Sequence, residues 1–136
     1  GQPWRVGLQC PDQTRGAYFA VVTAIDESVI TSGAYERNFE KNGKRYGHIL
    51  SAKTGRPVQT DLSSVTIVDA NGAKADALCT ALFGMGEKAA QAFLEQHADV
   101  RAVLLSADFK TAFVSDGLQD KVRITDPSIT VKIIKH

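Results

Sequence analysis

Apolar and polar residues alternate with period two from Trp4 to Leu8, which predicts a strand closed by Pro11. A β-prone run covers Tyr18 to Ala24, and a shorter one, Ser28-Val29-Ile30-Thr31, follows a turn at Asp26-Glu27. Asn42-Gly43, set between Phe39-Glu40-Lys41 and Lys44-Arg45-Tyr46, is the strongest two-residue hairpin cue in the chain. Ser64 to Val68 reads as another strand, ended by Asp69-Ala70-Asn71-Gly72. The period then becomes helical. One helix is expected over roughly Ala73 to Phe83, with Leu78, Leu82 and Met85 as its buried stripe. A second is expected from Glu87 to His97, with Ala89, Ala90, Phe93 and Leu94 facing inward and Gly84 and Gly86 separating the two. Val100 to Leu105, Thr111 to Ser115 and Ile129 to Ile134 supply further strands. Strands, a helical pair and strands again predict an α+β fold, with the helices packed on one face of a mainly antiparallel sheet.

At 136 residues the chain is expected to form a single domain over 1–136 with a real hydrophobic core. Its 43% hydrophobic and 23% charged content is that of an ordinary globular chain. A net charge of +1 gives no basic stripe, so no nucleic acid is expected as partner. No apolar run approaches the ~18 residues of a membrane span. The opening Gly1-Gln2-Pro3-Trp4 shows no signal peptide, but it also lacks a Met, so it leaves the compartment open. Cys10 and Cys79 have no metal-type spacing and do not make a disulfide framework.

The hairpin carries the first candidate chemistry. Counting outward from Asn42-Gly43, Lys41 faces Lys44, Phe39 faces Tyr46, Arg37 faces His48 and Tyr35 faces Leu50. Arg37, Phe39, Tyr46 and His48 then share one surface, suited to a planar, phosphate-bearing ligand. A neighbouring guanidinium disfavours the imidazolium, which keeps His48 neutral and able to accept a proton. The simpler reading is a half-buried strand histidine bonded to a backbone carbonyl. Ser32-Gly33 and Thr54-Gly55 bracket the hairpin, and there backbone N–H groups can approach a phosphate or ribose closely. Turns alone would also explain these glycines.

Asp76 and Thr80 stand one helical turn apart and present a carboxylate and a hydroxyl on the same face. That pair suits a hard cation such as Mg²⁺, which takes one or two protein oxygens and leaves the rest to water and phosphate. Taken alone, the pair is explained more simply with Asp76 as a first-turn residue favoured by the helix dipole and Thr80 bonded back to the carbonyl of Asp76.

Read in order, the segments Thr31-Ser32-Gly33-Ala34-Tyr35-Glu36-Arg37, Arg45-Tyr46-Gly47-His48-Ile49-Leu50, Lys53-Thr54-Gly55-Arg56-Pro57-Val58, Ser64-Val65-Thr66 and Asp76-Ala77-Leu78-Cys79-Thr80 form a specific set. With Met85-Gly86 and the opening Pro3-Trp4-Arg5-Val6-Gly7-Leu8, the chain resembles the C-terminal half of the bacterial FAD:protein FMN transferases (ApbE-type flavin transferases). The resemblance implies a T-fold-like half and a reaction that uses Mg²⁺ and FAD to attach FMN to a Ser or Thr of an acceptor protein, releasing AMP. It implies His48 as the catalytic base, Asp76 and Thr80 as metal ligands, and Ser32, Gly33, Tyr35, Arg37, Ile49, Leu50, Thr54 and Gly55 around the flavin nucleotide. It also implies a bacterial periplasmic or membrane-anchored, cell-surface location.

Two departures stand out. Ser51-Ala52 replaces the family's usual Asp-Pro or Asn-Pro, and Cys79 stands where a small residue is usual. The family's N-terminal half, with its adenine pocket and a carbonyl metal ligand, is missing from this chain. Either the chain is a fragment of a longer protein that carries that half, or a separate N-terminal half or a homo-oligomer completes the site, or transferase activity is lost. The alternatives are hydrolysis of FAD to FMN and AMP, and a flavin-binding module without turnover.

Overall fold

The computed structural model describes residues 2–9, 17–33, 38–47, 49–58 and 60–135. Its strands are β1 (Trp4–Gln9), β2 (Tyr18–Ala24), β3 (Ser28–Gly33), β4 (Asn38–Lys41), β5 (Lys44–Gly47), β6 (Leu62–Asp69), β7 (Arg101–Ser106), β8 (Thr111–Ser115), β9 (Val122–Ile124) and β10 (Thr130–Ile134). Two helices, α1 (Gly72–Met85) and α2 (Glu87–Gln96), lie between β6 and β7. Among the described residues, no helix is long and apolar enough to cross a membrane.

A five-stranded sheet in the order β10-β8-β7-β6-β3 organises the molecule, antiparallel throughout except for the β10–β8 pair. Alternation along its strands sends side chains to opposite faces. Val65, Ile67, Ala102, Leu104 and Phe113 face α1 and α2, where they pack with Ala75, Cys79, Leu82, Phe83, Ala90 and Leu94. Val68, Val103, Leu105, Ala112 and Val114 face the other way and pack with Leu8, Ala20 and Val22. That second layer is a three-stranded sheet, β1-β2-β9. Complete burial of each large side chain contributes about 1.5–3 kcal/mol, so both cores matter to stability.

The α+β prediction with helices on one face of a mainly antiparallel sheet agrees with this architecture. The second sheet was not foreseen, because its third strand, β9, has only three residues and little apolar pattern. At the hairpin, Phe39 pairs with Tyr46 and Lys41 with Lys44, as the two-residue turn requires. Asn42 and Gly43 both have positive φ (55° and 74°), the conformation that matches the twist of paired strands. The Arg37–His48 and Tyr35–Leu50 pairings involve Tyr35, Arg37 and His48, which lie outside the described residues, as does Pro11.

Three helix details correct the sequence reading. Gly84 lies inside α1, and Gly86 alone breaks the chain, at φ 85° and ψ 170°. Met85 is 46% exposed rather than buried, because the extra residues carry it past the inward stripe, which Cys79 and Phe83 fill with Ala75 and Leu82. Ala89 is exposed, and the inner face of α2 rests on Ala90 and Leu94, with Phe93 partly buried.

Candidate functional site

Helix α1 starts at a well-made cap. Asn71 accepts a hydrogen bond from Lys74 N at 3.1 Å, and Asp69 accepts one from Asn71 N at 2.8 Å. Lys74 is held by Asp69 at 3.2 Å and Asp99 at 3.6 Å. The hydrogen bond from Asn71 N, reinforced by Lys74, keeps the Asp69 carboxyl below its usual range. Because the helix begins at Gly72, its first turn holds no acidic residue, and Asp76 lies beyond it. The dipole therefore does not account for Asp76.

Thr80 also departs from its simpler reading. Its hydroxyl meets Ser32 Oγ at 3.2 Å, while the carbonyl of Asp76 accepts from Cys79 Sγ at 3.2 Å. Asp76 and Thr80 are both exposed, and among the described residues Asp76 has no ion-pair partner. A free carboxylate one turn from a tethered hydroxyl is a hard-oxygen donor set. It fits a Mg²⁺ ion that draws its remaining ligands from water and phosphate. Among the described residues no group of three or more His, Cys, Asp or Glu could hold a metal, so these two side chains would serve as partial ligands.

Strand β3 delivers the facing wall. Thr31 points to the three-stranded side and bonds Thr66 at 2.8 Å; Ser32, with the opposite orientation, faces α1 and also touches Cys79 Sγ at 3.0 Å. Gly33 pairs with Ser64 in the sheet. Ile49 packs into the same helix-side cluster as Ala75 and Cys79. Leu50 is 60% exposed and bridges to Pro57. Thr54 and Gly55 form the tight turn between them: Gly55 N donates to Ser51 O at 2.8 Å, and Arg56 N donates to Thr54 Oγ1 at 3.2 Å. Those two N–H groups are thus engaged within the turn. Tyr35, Arg37 and His48 lie outside the described residues.

The structure thus brings Ser32, Asp76 and Thr80 to one surface, with Ile49 packed beneath the same layer. Cys79 joins them, a residue that sequence reasoning treated as a passive replacement. Its position three residues after Asp76, on the buried stripe facing β3, was the available signal. Two concavities lie elsewhere, one of about 530 Å³ between Asp61, Gly86 and Lys88 and one of about 310 Å³ between Arg5, Tyr18 and Arg123. Neither includes a residue assigned to the catalytic, flavin or metal site from the sequence.

Comparison with known proteins places the chain in a family. A model of the ApbE family matches residues 1–104. The FAD:protein FMN transferase of Treponema pallidum is 42% identical over 123 residues, covering 90% of this chain and 34% of the relative. One from Klebsiella pneumoniae is 38% identical over 103 residues, covering 76% of this chain and 33% of its own. Among solved structures, the ApbE protein of Thermotoga maritima superposes with a TM-score of 0.79 at 30% identity, over 90% of this chain and 39% of that one. The flavin transferase ApbE of Vibrio cholerae gives 0.70 at 31% identity, over 88% and 38%. The chain thus spans about a third of the length of the curated relatives. By family match, sequence identity and superposition together, it belongs to the ApbE family.

Proposed function

We propose that this chain forms the catalytic C-terminal half of a Mg²⁺-dependent flavin transferase, which moves FMN from FAD to a Ser or Thr hydroxyl of an acceptor protein. In that reaction the hydroxyl oxygen bonds to the FMN phosphorus, the bond to the departing AMP breaks, and the hydroxyl proton passes to His48. A hydroxyl is a poor nucleophile until a base takes its proton, which is the task assigned to the imidazole. Asp76 and Thr80 would hold the cation, which neutralises pyrophosphate charge when bound. Phosphoryl transfer depends mainly on positioning and electrostatics, so few protein groups are needed. Ser32, Gly33, Tyr35, Arg37, Ile49, Leu50, Thr54 and Gly55 would surround the flavin nucleotide.

The observation that carries this reading is the exposed Asp76 carboxylate beside a Thr80 hydroxyl tethered from β3, in a chain of the ApbE family. The relatives, FAD:protein FMN transferases, supply the reaction class. The acceptor hydroxyl, the Mg²⁺ requirement and a periplasmic location rest on the family resemblance.

The test is transfer by the longer protein that contains this region, read as a mass gain of FMN on the acceptor together with AMP release. His48→Ala should abolish attachment, and Asp76→Ala should weaken both cation and FAD binding. Full transfer by Asp76→Ala would refute the cation role. A second reading, a flavin-binding module without turnover, is favoured by the small donor set, since among the described residues no group of three or more His, Cys, Asp or Glu could hold a metal. Calorimetry of FAD and Mg²⁺ on the chain separates the two when combined with the product assay: binding without AMP release supports the module.

A further inference from the structure

Behind Thr80 runs a hydrogen-bonded chain that ends on a backbone carbonyl. Thr80 Oγ1 lies 3.2 Å from Ser32 Oγ, Ser32 Oγ lies 3.0 Å from Cys79 Sγ, and Cys79 Sγ lies 3.2 Å from the carbonyl oxygen of Asp76. The path leads from the exposed Thr80 through the part-buried Ser32 to the fully buried Cys79. It closes on the helix turn that carries Asp76.

Each of the three side chains has one proton, whereas the carbonyl can only accept. The thiol proton is therefore committed to Asp76 O. Sγ then has only lone pairs to offer Ser32, so Ser32 must donate to it. With that proton engaged, Ser32 can only accept from Thr80. Any other order leaves two lone pairs facing each other beside the buried Cys79, an arrangement a low-dielectric interior penalises. The direction is thus set from the buried end: Thr80 donates to Ser32, Ser32 to Cys79, and Cys79 to the carbonyl.

We propose that Ser32 and Cys79 are positioning residues that turn the only proton of Thr80 inward, leaving both Oγ1 lone pairs free for a hard cation beside Asp76. The proposal rests on the cation reading of Asp76 and Thr80 and deepens it. An unconstrained threonine would have to reorient its proton before it could act as a ligand; here the reorientation is built into the fold. The same chain ties the Thr80 hydroxyl to the carbonyl of Asp76 and holds the two ligand residues in register. Cooperative polarisation along the chain means that a cation on Oγ1 strengthens every donor behind it, including the buried thiol.

The test uses the longer protein that contains this region, with every cysteine but Cys79 replaced by serine, Mn²⁺ alone as the EPR probe and the S–H stretch of Cys79 followed by Raman spectroscopy with Mg²⁺. Wild type should bind Mn²⁺, and adding Mg²⁺ should shift the S–H band of a thiol that never touches the ion. Ser32→Ala should weaken Mn²⁺ binding about three- to tenfold and remove that band shift. Cys79→Ala should weaken binding by a similar factor, because Ser32 is then free to donate to Thr80. Cys79→Ser, which keeps one donor and one acceptor, should restore it. Melting curves identify any variant that fails to fold, and the Cys79→Ser rescue then decides. If wild type and Asp76→Ala are equally silent towards Mn²⁺, the cation reading fails and this proposal falls with it. Should Asp76→Ala lose Mn²⁺ while Ser32→Ala keeps both affinity and band shift, the positioning role is overturned and the cation site stands.

Discussion

The carboxylate of Asp61 accepts a hydrogen bond from the backbone N–H of Glu87 at 2.6 Å, so α2 is capped by a side chain from the segment that leads into β6. The residue at the cap position itself, Gly86, has no side chain to do this. The first N–H groups of a helix have no partner within it, and a remote carboxylate answers one of them. Asp61→Ala should therefore cost about 1 kcal/mol of stability, the usual loss for a helix cap. Urea unfolding should show a lower midpoint with an unchanged slope. An unchanged midpoint would mean that water caps α2 equally well.

Two glycines two residues apart should respond in opposite ways. Gly84 lies within α1, and nothing lies within 4 Å of where its Cβ would be, so Gly84→Ala should stabilise by about 0.5–1 kcal/mol. Gly86 sits at φ 85° and ψ 170°, a conformation nearly confined to glycine, and a Cβ there would meet Asp61 Oδ1 at 3.0 Å. Gly86→Ala should destabilise by roughly 1–3 kcal/mol. Thermal melts of the two variants should bracket wild type, and a shift in the same direction for both would contradict this account.

The contrast between those glycines also marks how far local pattern carries. Element type was legible wherever periodicity was long or a turn had its own chemistry: Tyr18–Ala24 and Thr111–Ser115 match the predicted bounds, and Asn42-Gly43 set its own register. Helix ends were less legible, because Gly84 and Gly86 look alike in sequence while only Gly86 leaves the helical backbone. The β9 strand was missed because its partner, β2, lies about 100 residues away in sequence, and its three residues form a strand only through that pairing. At the candidate site, Asp76 and Thr80 could be paired by helical spacing. Their link to Ser32 across 48 positions is tertiary, and no spacing rule reaches it.

Glu27 ties the two sheets together and makes stability depend on acid. It sits at the β2–β3 turn, with Arg101 Nη2 of β7 at 2.5 Å and Lys121 Nζ, just ahead of β9, at 3.4 Å. Burial alone would raise its pKa; the hydrogen bond and charge of Arg101, with those of Lys121, outweigh it and hold the carboxyl below its ordinary range. The folded pKa is the lower one, so this stabilisation is present above the unfolded carboxyl value and is lost as pH falls through the folded value. Glu27→Gln should cost about 1.5–3 kcal/mol at neutral pH, the range for hydrogen bonds to charged groups. The gap from wild type should close in acid. A gap independent of pH would show that shape, not charge, holds the junction.

Glu87 should behave in the reverse sense. Burial first, then the nearby carboxylates Asp61 and Asp108, raise its pKa, with Lys132 opposing weakly. With the folded value above the unfolded one, its contribution is most favourable below the unfolded pKa and fades as pH rises through the folded value. Glu87→Gln removes the charge and keeps an oxygen for Gln91, whose amide lies 3.5 Å from the present carboxylate. The variant should be more stable than wild type at neutral pH and indistinguishable from it in acid, where Glu87 is already protonated. Paired unfolding curves across that range would show the difference; a wild type that remains the more stable at neutral pH would mean that the helix dipole outweighs both burial and like charge.

Asp76 and Thr80 offer the sharpest functional test, because two residues proposed to hold one ion should not act independently. Asp76→Ala removes the carboxylate proposed to hold the cation, and Thr80→Val removes the hydroxyl while nearly preserving shape. If both serve the same ion in the flavin transfer proposed above, each single change should lower Mg²⁺-dependent turnover by at least about tenfold. The double variant should then lose little beyond the worse single, since once the ion is displaced the second ligand has nothing left to contribute. Losses that multiply across the cycle would separate the two residues and assign Thr80 to some task other than holding the cation. Varying Mg²⁺ strengthens the reading: Thr80→Val, with the carboxylate intact, should recover at high Mg²⁺, whereas Asp76→Ala should not.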